Sequence, residues 1–206
     1  MPVAMSSNWE YLGWAQGEFA VFDTGAGLVL LNVKAAQQRI WYERLLGSFA
    51  DRTVESQRLL LPHPVEFDPV SSALVEENLN FLGQFGFEIA PFGRNFFRIE
   101  GSPTWIEEEA VEDFLKDLVA ALRQGSLSAD NEDVAIEMVA KKAALKAARL
   151  TAKPKQGELD ALLSQLFACE KPLTDPEGRP SLIEISSGEI DKRFQRRNRT
   201  AQPDLF

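Results

Sequence analysis

The twenty residues from Gly27 to Leu46, GLVLLNVKAAQQRIWYERLL, constrain the fold more than any other stretch of the chain. An apolar run, Leu28 to Leu31, meets a polar joint made of Asn32, Val33 and Lys34, and a helical pattern starts at Ala35. Ala36, Ile40, Trp41, Leu45 and Leu46 recur at helical spacing, on one side of that helix. A rigid strand joined to a rigid helix projects the joint's side chains into a cleft, a common setting for chemistry.

The remaining segments read as mixed helix and strand. Trp9 to Phe22 is apolar and β-prone, and Asp23-Thr24-Gly25-Ala26-Gly27 supplies the turn of a hairpin before Leu28. Gln57 to Pro62 is a short apolar strand stopped by proline. Asp68 as N-cap and Pro69 at the first helical position open a helix that runs through Leu82. Two aromatic strands follow, Phe87 to Pro91 and Asn95 to Glu100. A helix through Val111, Phe114, Leu115, Leu118 and Leu122 comes next, with Glu107 to Glu109 where the helix dipole favours acid. Further helices are expected from Val134 to Thr151 and from Glu158 to Ala168, a strand from Ser181 to Ile185, and a helix capped by Ser187. From Arg196 onward the apolar content is too low to fold alone.

Composition excludes several classes of site. With one cysteine, Cys169, the chain has neither an internal disulfide nor a cysteine-cluster zinc site. The one histidine, His63, lies between Pro62 and Pro64 and is expected in a loop without chemistry, which argues against a Ser-His-Asp triad. A net charge of −9 argues against strong sequence-independent DNA binding by the whole surface. Lys141, Lys142, Lys146, Arg149, Lys153 and Lys155 form a local basic run that leaves weak DNA contact open beside the simpler reading of a solvated helix face. No segment is apolar enough to span a bilayer and no secretion signal begins the chain, so a cytoplasmic protein without membrane contact is expected.

Against this background, NVKAAQQRIWYERL resembles the nuclease motif DQHAAHERILYERL of the MutL C-terminal domain of DNA mismatch repair. The frame residues Ala35, Ala36, Arg39, Ile40, Tyr42, Glu43, Arg44 and Leu45 match. The family's metal-binding Asp, His and first Glu correspond to Asn32, Lys34 and Gln38. The family's ACKxAVKA-like motif corresponds to Ala140–Ala147, with Lys141 at the cysteine; its CPHGRP-like loop is DPEGRP, with Asp175 and Glu177 at the cysteine and histidine; its FxR-type motif is Phe194-Gln195-Arg196. Zinc or manganese needs carboxylate, imidazole or thiolate ligands, and two lysines repel a cation. The resemblance therefore implies a degenerate nuclease site at Asn32, Lys34, Gln38, Lys141, Asp175 and Glu177, with no catalytic residue, no bound metal and no cofactor. Ion pairs from Lys34 and Lys141 to Asp175 and Glu177 are expected to stand in for the metal, the alternative being ordinary surface charges.

The resemblance also implies partners. Gln57-Arg58-Leu59-Leu60-Leu61-Pro62 matches the QxLLxP-type segment by which bacterial MutL proteins touch the replicative sliding clamp, with Gln57, Leu59, Leu60 and Pro62 as the contacts. Gln202-Pro203-Asp204-Leu205-Phe206 looks like the QxxLF clamp peptide, with Gln202, Leu205 and Phe206 filling the same roles. The implied fold is α+β in two lobes: a discontinuous dimerisation lobe (8–62 and 155–200), an inserted lobe (63–154) and a flexible tail (196–206). The implied function is homodimerisation and clamp contact alongside other mismatch repair proteins, at the bacterial nucleoid during repair. No N-terminal ATPase motif is present, which fits either a fragment of a full MutL or a separate protein. Two other readings stand beside this one. One is a metal-dependent nicking endonuclease with unusual ligands; the other is an aspartic protease using Asp23, suggested by Asp23-Thr24-Gly25 and Gly93-Arg94-Asn95.

Overall fold

A computed structural model describes residues 9–150 and 152–195. The chain divides into two compact units: one draws on both ends, up to Arg39 and from Arg149, and the other is the continuous segment Ile40–Ala148. The division therefore falls earlier than the expected boundaries at 62/63 and 154/155. Packing and strand pairing explain the first shift: Leu45 and Phe49 are buried in the core of the second unit, and the segment after residue 55 is hydrogen-bonded to a strand near residue 100. For the second, the Lys153 ammonium lies 5.8 Å from the Tyr11 ring centre within the first unit.

The first unit is built on a four-stranded antiparallel sheet, β1 (Glu10–Ala15), β2 (Phe19–Asp23), β3 (Gly27–Asn32) and β7 (Leu182–Ser186), in the order β1-β2-β3-β7. The stretch read as one β-prone segment is two strands, because Gln16 and Gly17 both take positive φ and turn the chain. The next turn is the expected one. Asp23 Oδ1 accepts from Gly25 N at 2.7 Å, and the Thr24 hydroxyl donates to the Gly27 carbonyl at 3.1 Å. Strand alternation splits the sheet into two faces: Ala20, Phe22, Val29, Leu31 and Leu182 are buried. Val21 pairs with Leu30, Leu30 with Ile183, and Leu28 with Ile185 on the opposite, partly exposed face. Helix α6 (Gln156–Ala168) buries Leu159 and Leu166, and the Trp9 ring lies 5.7 Å from Phe22 and 5.6 Å from Phe167. The short α7 (Ser187–Arg193) is capped by Ser186 rather than Ser187: Ser186 Oγ accepts from Glu189 N.

The second unit pairs β4 (Ser56–Glu66), β5 (Glu88–Gly93) and β6 (Phe96–Pro103) antiparallel in the order β4-β6-β5. Helix α1 (Val33–Ala50) enters it from the first unit, followed by α2 (Pro69–Glu77), α3 (Leu79–Gly83), α4 (Glu108–Arg123) and α5 (Glu132–Ala147). The Asp68 carboxylate caps α2 through Val70 N and Ser71 N, as the sequence implies. The single helix expected from Asp68 to Leu82 is two, broken where Asn78 leaves helical φ/ψ and its amide donates back to the Leu74 carbonyl. Phe49, Phe85, Phe97, Phe114, Leu82, Leu115, Leu118 and Ile99 form a continuous core, with edge-to-face contacts such as Phe49–Phe85 at 5.0 Å and Trp105–Phe114 at 5.1 Å. The buried face of α5 carries Ala135, Ala140 and Ala143, small side chains that let the helix backbone come close to that core. Among the described residues, no helix is long and apolar enough to cross a membrane.

Candidate functional site

At the strand-to-helix joint, Asn32 ends β3 and caps α1: its Oδ1 accepts from Ala35 N at 2.9 Å. The helix thereby begins at Val33, two residues before the apolar periodicity shows it. The Asn32 backbone N–H donates to the Ser181 carbonyl at 2.8 Å, so the joint is tied to the start of β7. On the first turns of α1, Lys34 is exposed, whereas Gln38 and Arg39 are each only 5% exposed.

Arg39 joins this helix to the 172–181 loop. Its Nε donates to the Thr174 carbonyl at 2.6 Å and a terminal nitrogen to the Asp175 carbonyl at 2.7 Å. Within the loop, Asp175 is almost fully buried, and its Oδ1 accepts from the backbone N–H groups of Glu177 and Arg179, each at 2.9 Å. Its Oδ2 accepts from Arg179 Nε at 2.6 Å, and the same guanidinium pairs with Glu177 at 2.6 Å. The hydrogen bond to Asp175 pushes the Arg179 pKa further up, and attraction to both carboxylates adds to it.

The expected partner for Asp175 and Glu177 was therefore wrong in the first unit: Arg179, four residues along the same loop, takes both carboxylates, and Lys34 points to solvent. The physical reason is proximity, since a side chain in the same tight loop reaches the acid at little entropic cost. Chemically, the loop is closed on itself. Two amides and a guanidinium occupy three of the roughly four lone-pair sites of the Asp175 carboxylate, which leaves little of it to offer a cation. Among the described residues, no group of three or more His, Cys, Asp or Glu side chains is arranged to hold a metal ion. Lys141 belongs to the second unit, half-buried on α5 beside the buried Ala140. Of the FxR-type motif, Phe194 is 73% exposed just after α7, and Arg196 lies outside the described residues.

The second candidate surface is β4. The ladder with β6 pairs Gln57 with Ser102 and Arg58 with Gly101, then resumes at His63 with Ile99. Leu59 to Pro62 thus stand opposite the single residue Glu100, in a wide bulge on an edge strand. Leu59 packs inward on the core, while Leu60 is 99% and Leu61 79% exposed. The strand does not stop at Pro62. That proline sits in the bulge, where no ladder N–H is needed, and pairing continues through Pro64 to Glu66. His63 is accordingly a strand residue and not a loop residue, and it is not without a partner: its Nε2 lies 2.6 Å from Glu112 Oε2 on α4, whose Oε1 accepts from Lys116 at 2.5 Å. The Lys116 and His63 hydrogen bonds hold the Glu112 carboxyl below its ordinary pKa. The tail residues Gln202, Leu205 and Phe206 lie outside the described residues.

In the sequence, Arg39 is legible only as part of the matching frame, and neither Arg179 nor Glu112 is singled out by a motif role of its own. The four-residue spacing of Asp175 and Arg179 was a visible signal for that pair. Nothing local connects Arg39 to Thr174, 135 positions away, or His63 to Glu112.

A sheet assembled from both ends of the sequence, a strand-joint-helix unit and an intervening α+β unit define an α+β chain of a specific architecture. The family model for the MutL C terminal dimerisation domain matches residues 12–150, and the chain belongs to that family. Similar proteins include the DNA mismatch repair proteins MutL of Opitutus terrae (48% identical over 191 residues), Akkermansia muciniphila (37% over 190) and Symbiobacterium thermophilum (35% over 188). These matches cover 93%, 92% and 90% of this chain and 30% of each relative, so the chain spans about a third of the length of these proteins.

Proposed function

We propose that this chain is a homodimerising module of DNA mismatch repair that docks on the replicative sliding clamp and has lost the metal-dependent nuclease site of its family. The observation that carries the clamp contact is the bulge in β4. Two adjacent leucines, Leu60 and Leu61, are held in water by an otherwise regular strand, at a cost that an isolated domain has no reason to bear. Gln57 is exposed at the entrance of the bulge and Pro62 at its exit, which is the layout an apolar groove with a polar rim would accept. Dimerisation is supported by the outer face of the four-stranded sheet. Phe19, Leu30, Asn32, Pro180 and Ile183 line a shallow, largely apolar groove of about 250 Å³ there. Loss of the nuclease is supported by the inward use of Asp175 and by amide or ammonium side chains at Asn32, Lys34 and Gln38.

The test is calorimetric titration of a bacterial sliding clamp with three proteins: the intact chain, a chain ending at Ala201, and the double variant Gln57→Ala, Leu60→Ala. The expected result is binding by the intact chain and loss of at least about tenfold in the double variant, as for truncation of a central apolar anchor. Additional loss on truncation assigns a second contact to Gln202, Leu205 and Phe206. Absence of binding by the intact chain overturns the clamp assignment and leaves a dimerisation module.

A further inference from the structure

The bulge that carries Leu60 and Leu61 is anchored unequally at its two ends. On the N-terminal side, Ser56, Gln57 and Arg58 are held by backbone pairing with Pro103, Ser102 and Gly101. On the C-terminal side the ladder restarts at His63; where the Ser56 hydroxyl at the other end donates only within the sheet, to the Ser102 carbonyl, the His63 imidazole reaches across to Glu112 in the second turn of α4. Glu112 is itself fixed, since Lys116 one turn further along α4 binds its second oxygen. The three side chains form a line from the exit of the bulge to a helix whose Val111, Phe114 and Leu115 are locked in the core.

We propose that His63 and Glu112 are positioning residues for the clamp contact: their pairing pins the C-terminal base of the Leu59–Pro62 bulge to α4, so that Leu60 and Leu61 are presented in one fixed conformation. The proposal rests on the clamp assignment made above and goes beyond it, because neither residue belongs to the clamp-like segment. A bulge that leaves four residues unpaired has conformational freedom to lose on docking, and each exposed leucine that is already oriented reduces that loss. The prolines on both sides of His63 serve the same end. Pro62 and Pro64 restrict φ on either side, so the backbone at His63 has few alternatives once its ring is held. His63 is therefore neither a catalytic group nor a mere surface ion pair; it transmits the rigidity of α4 to the neighbouring apolar segment.

The experiment is a double-mutant cycle on clamp affinity with the full chain: His63→Ala, Glu112→Ala, both together, and His63→Arg, with Leu60→Ala as a control. Each single alanine is expected to weaken clamp binding about three- to fivefold, the range of a partly exposed side-chain hydrogen bond, and the double variant no further than either single one. His63→Arg supplies N–H donors able to meet the Glu112 carboxylate and is expected to restore part of the loss. Amide hydrogen exchange in the ladder that resumes at His63 and runs to Glu66 should accelerate in the alanine variants while the melting temperature changes little. Additive losses would overturn the pin, since they would mean that His63 meets the clamp directly. If Leu60→Ala abolishes binding while His63→Ala and Glu112→Ala leave it unchanged, the pin fails and the clamp contact stands. If the intact chain does not bind, both fall together.

Discussion

At the scale of single residues, Arg39 holds a place that its polar character alone would not suggest. It is buried in a helix between Ala36 and Ile40, and it spends its guanidinium on two backbone carbonyls of a loop that is distant in sequence. A planar fork with several donors suits two neighbouring carbonyls, whereas an ammonium on a flexible stem does not reproduce both bonds. Arg39→Lys is therefore expected to destabilise the first unit by about 1 to 3 kcal/mol, the cost of leaving a buried acceptor unsatisfied, measured by urea unfolding. Asn32 illustrates a residue with a role that its chemistry permits in either form. An amide oxygen caps α1 as a carboxylate would, so Asn32→Asp is expected to leave the helix start intact.

Among the elements, β3 and β7 approach each other closely at Gly27. A Cβ built there would lie 2.2 Å from the Ile185 carbonyl oxygen and 2.8 Å from Ser186 Cα, both backbone atoms that cannot swing away. Gly27→Ala must push the two strands apart and is expected to cost about 1 to 3 kcal/mol, whereas Gly13→Ala, with open space around it, should lie within about 0.5 kcal/mol of the parent in thermal denaturation. This close approach is invisible in the DTGAG turn, where glycine is expected for its turn-forming freedom alone. The turn itself was legible, as were the cap at Asp68, the acidic first turn of α4 and the amphipathic run of α4. Element ends were less so: α5 stops at Ala147, four residues before the expected Thr151, because Ala148 already has extended ψ.

For the whole molecule, the outer face of the β1-β2-β3-β7 sheet decides the oligomeric state under the proposed function. The cross-strand row Val21, Leu30 and Ile183 and the neighbouring pair Leu28 and Ile185 make that face apolar, and Ile183 is half exposed. In a two-fold dimer each substitution is present twice. Ile183→Glu is expected to raise the dimer dissociation constant on the order of a hundredfold, through an uncompensated buried charge, with the far-ultraviolet spectrum unchanged. Sedimentation equilibrium over a concentration series checks it; a mass that stays that of a dimer would move the interface to another surface.

The sequence by itself determined the α+β class, nearly every helix and strand, the strand-joint-helix unit and the family resemblance, because periodicity, caps and turn residues act over a few neighbouring positions. What only the tertiary structure decided were the partners. Asp175 and Glu177 meet Arg179 and not Lys34, Arg39 meets Thr174, His63 meets Glu112, and Leu60 and Leu61 remain in water while Leu59 turns inward. Residues 40–62 side with the middle of the chain for the same reason, since Leu45 and Phe49 are buried in its core and β4 completes its hydrogen bonds on β6. A strand records in its own residues that it needs a neighbour, and a charge that it needs a counterion. Which neighbour satisfies it depends on distances that chain folding alone sets.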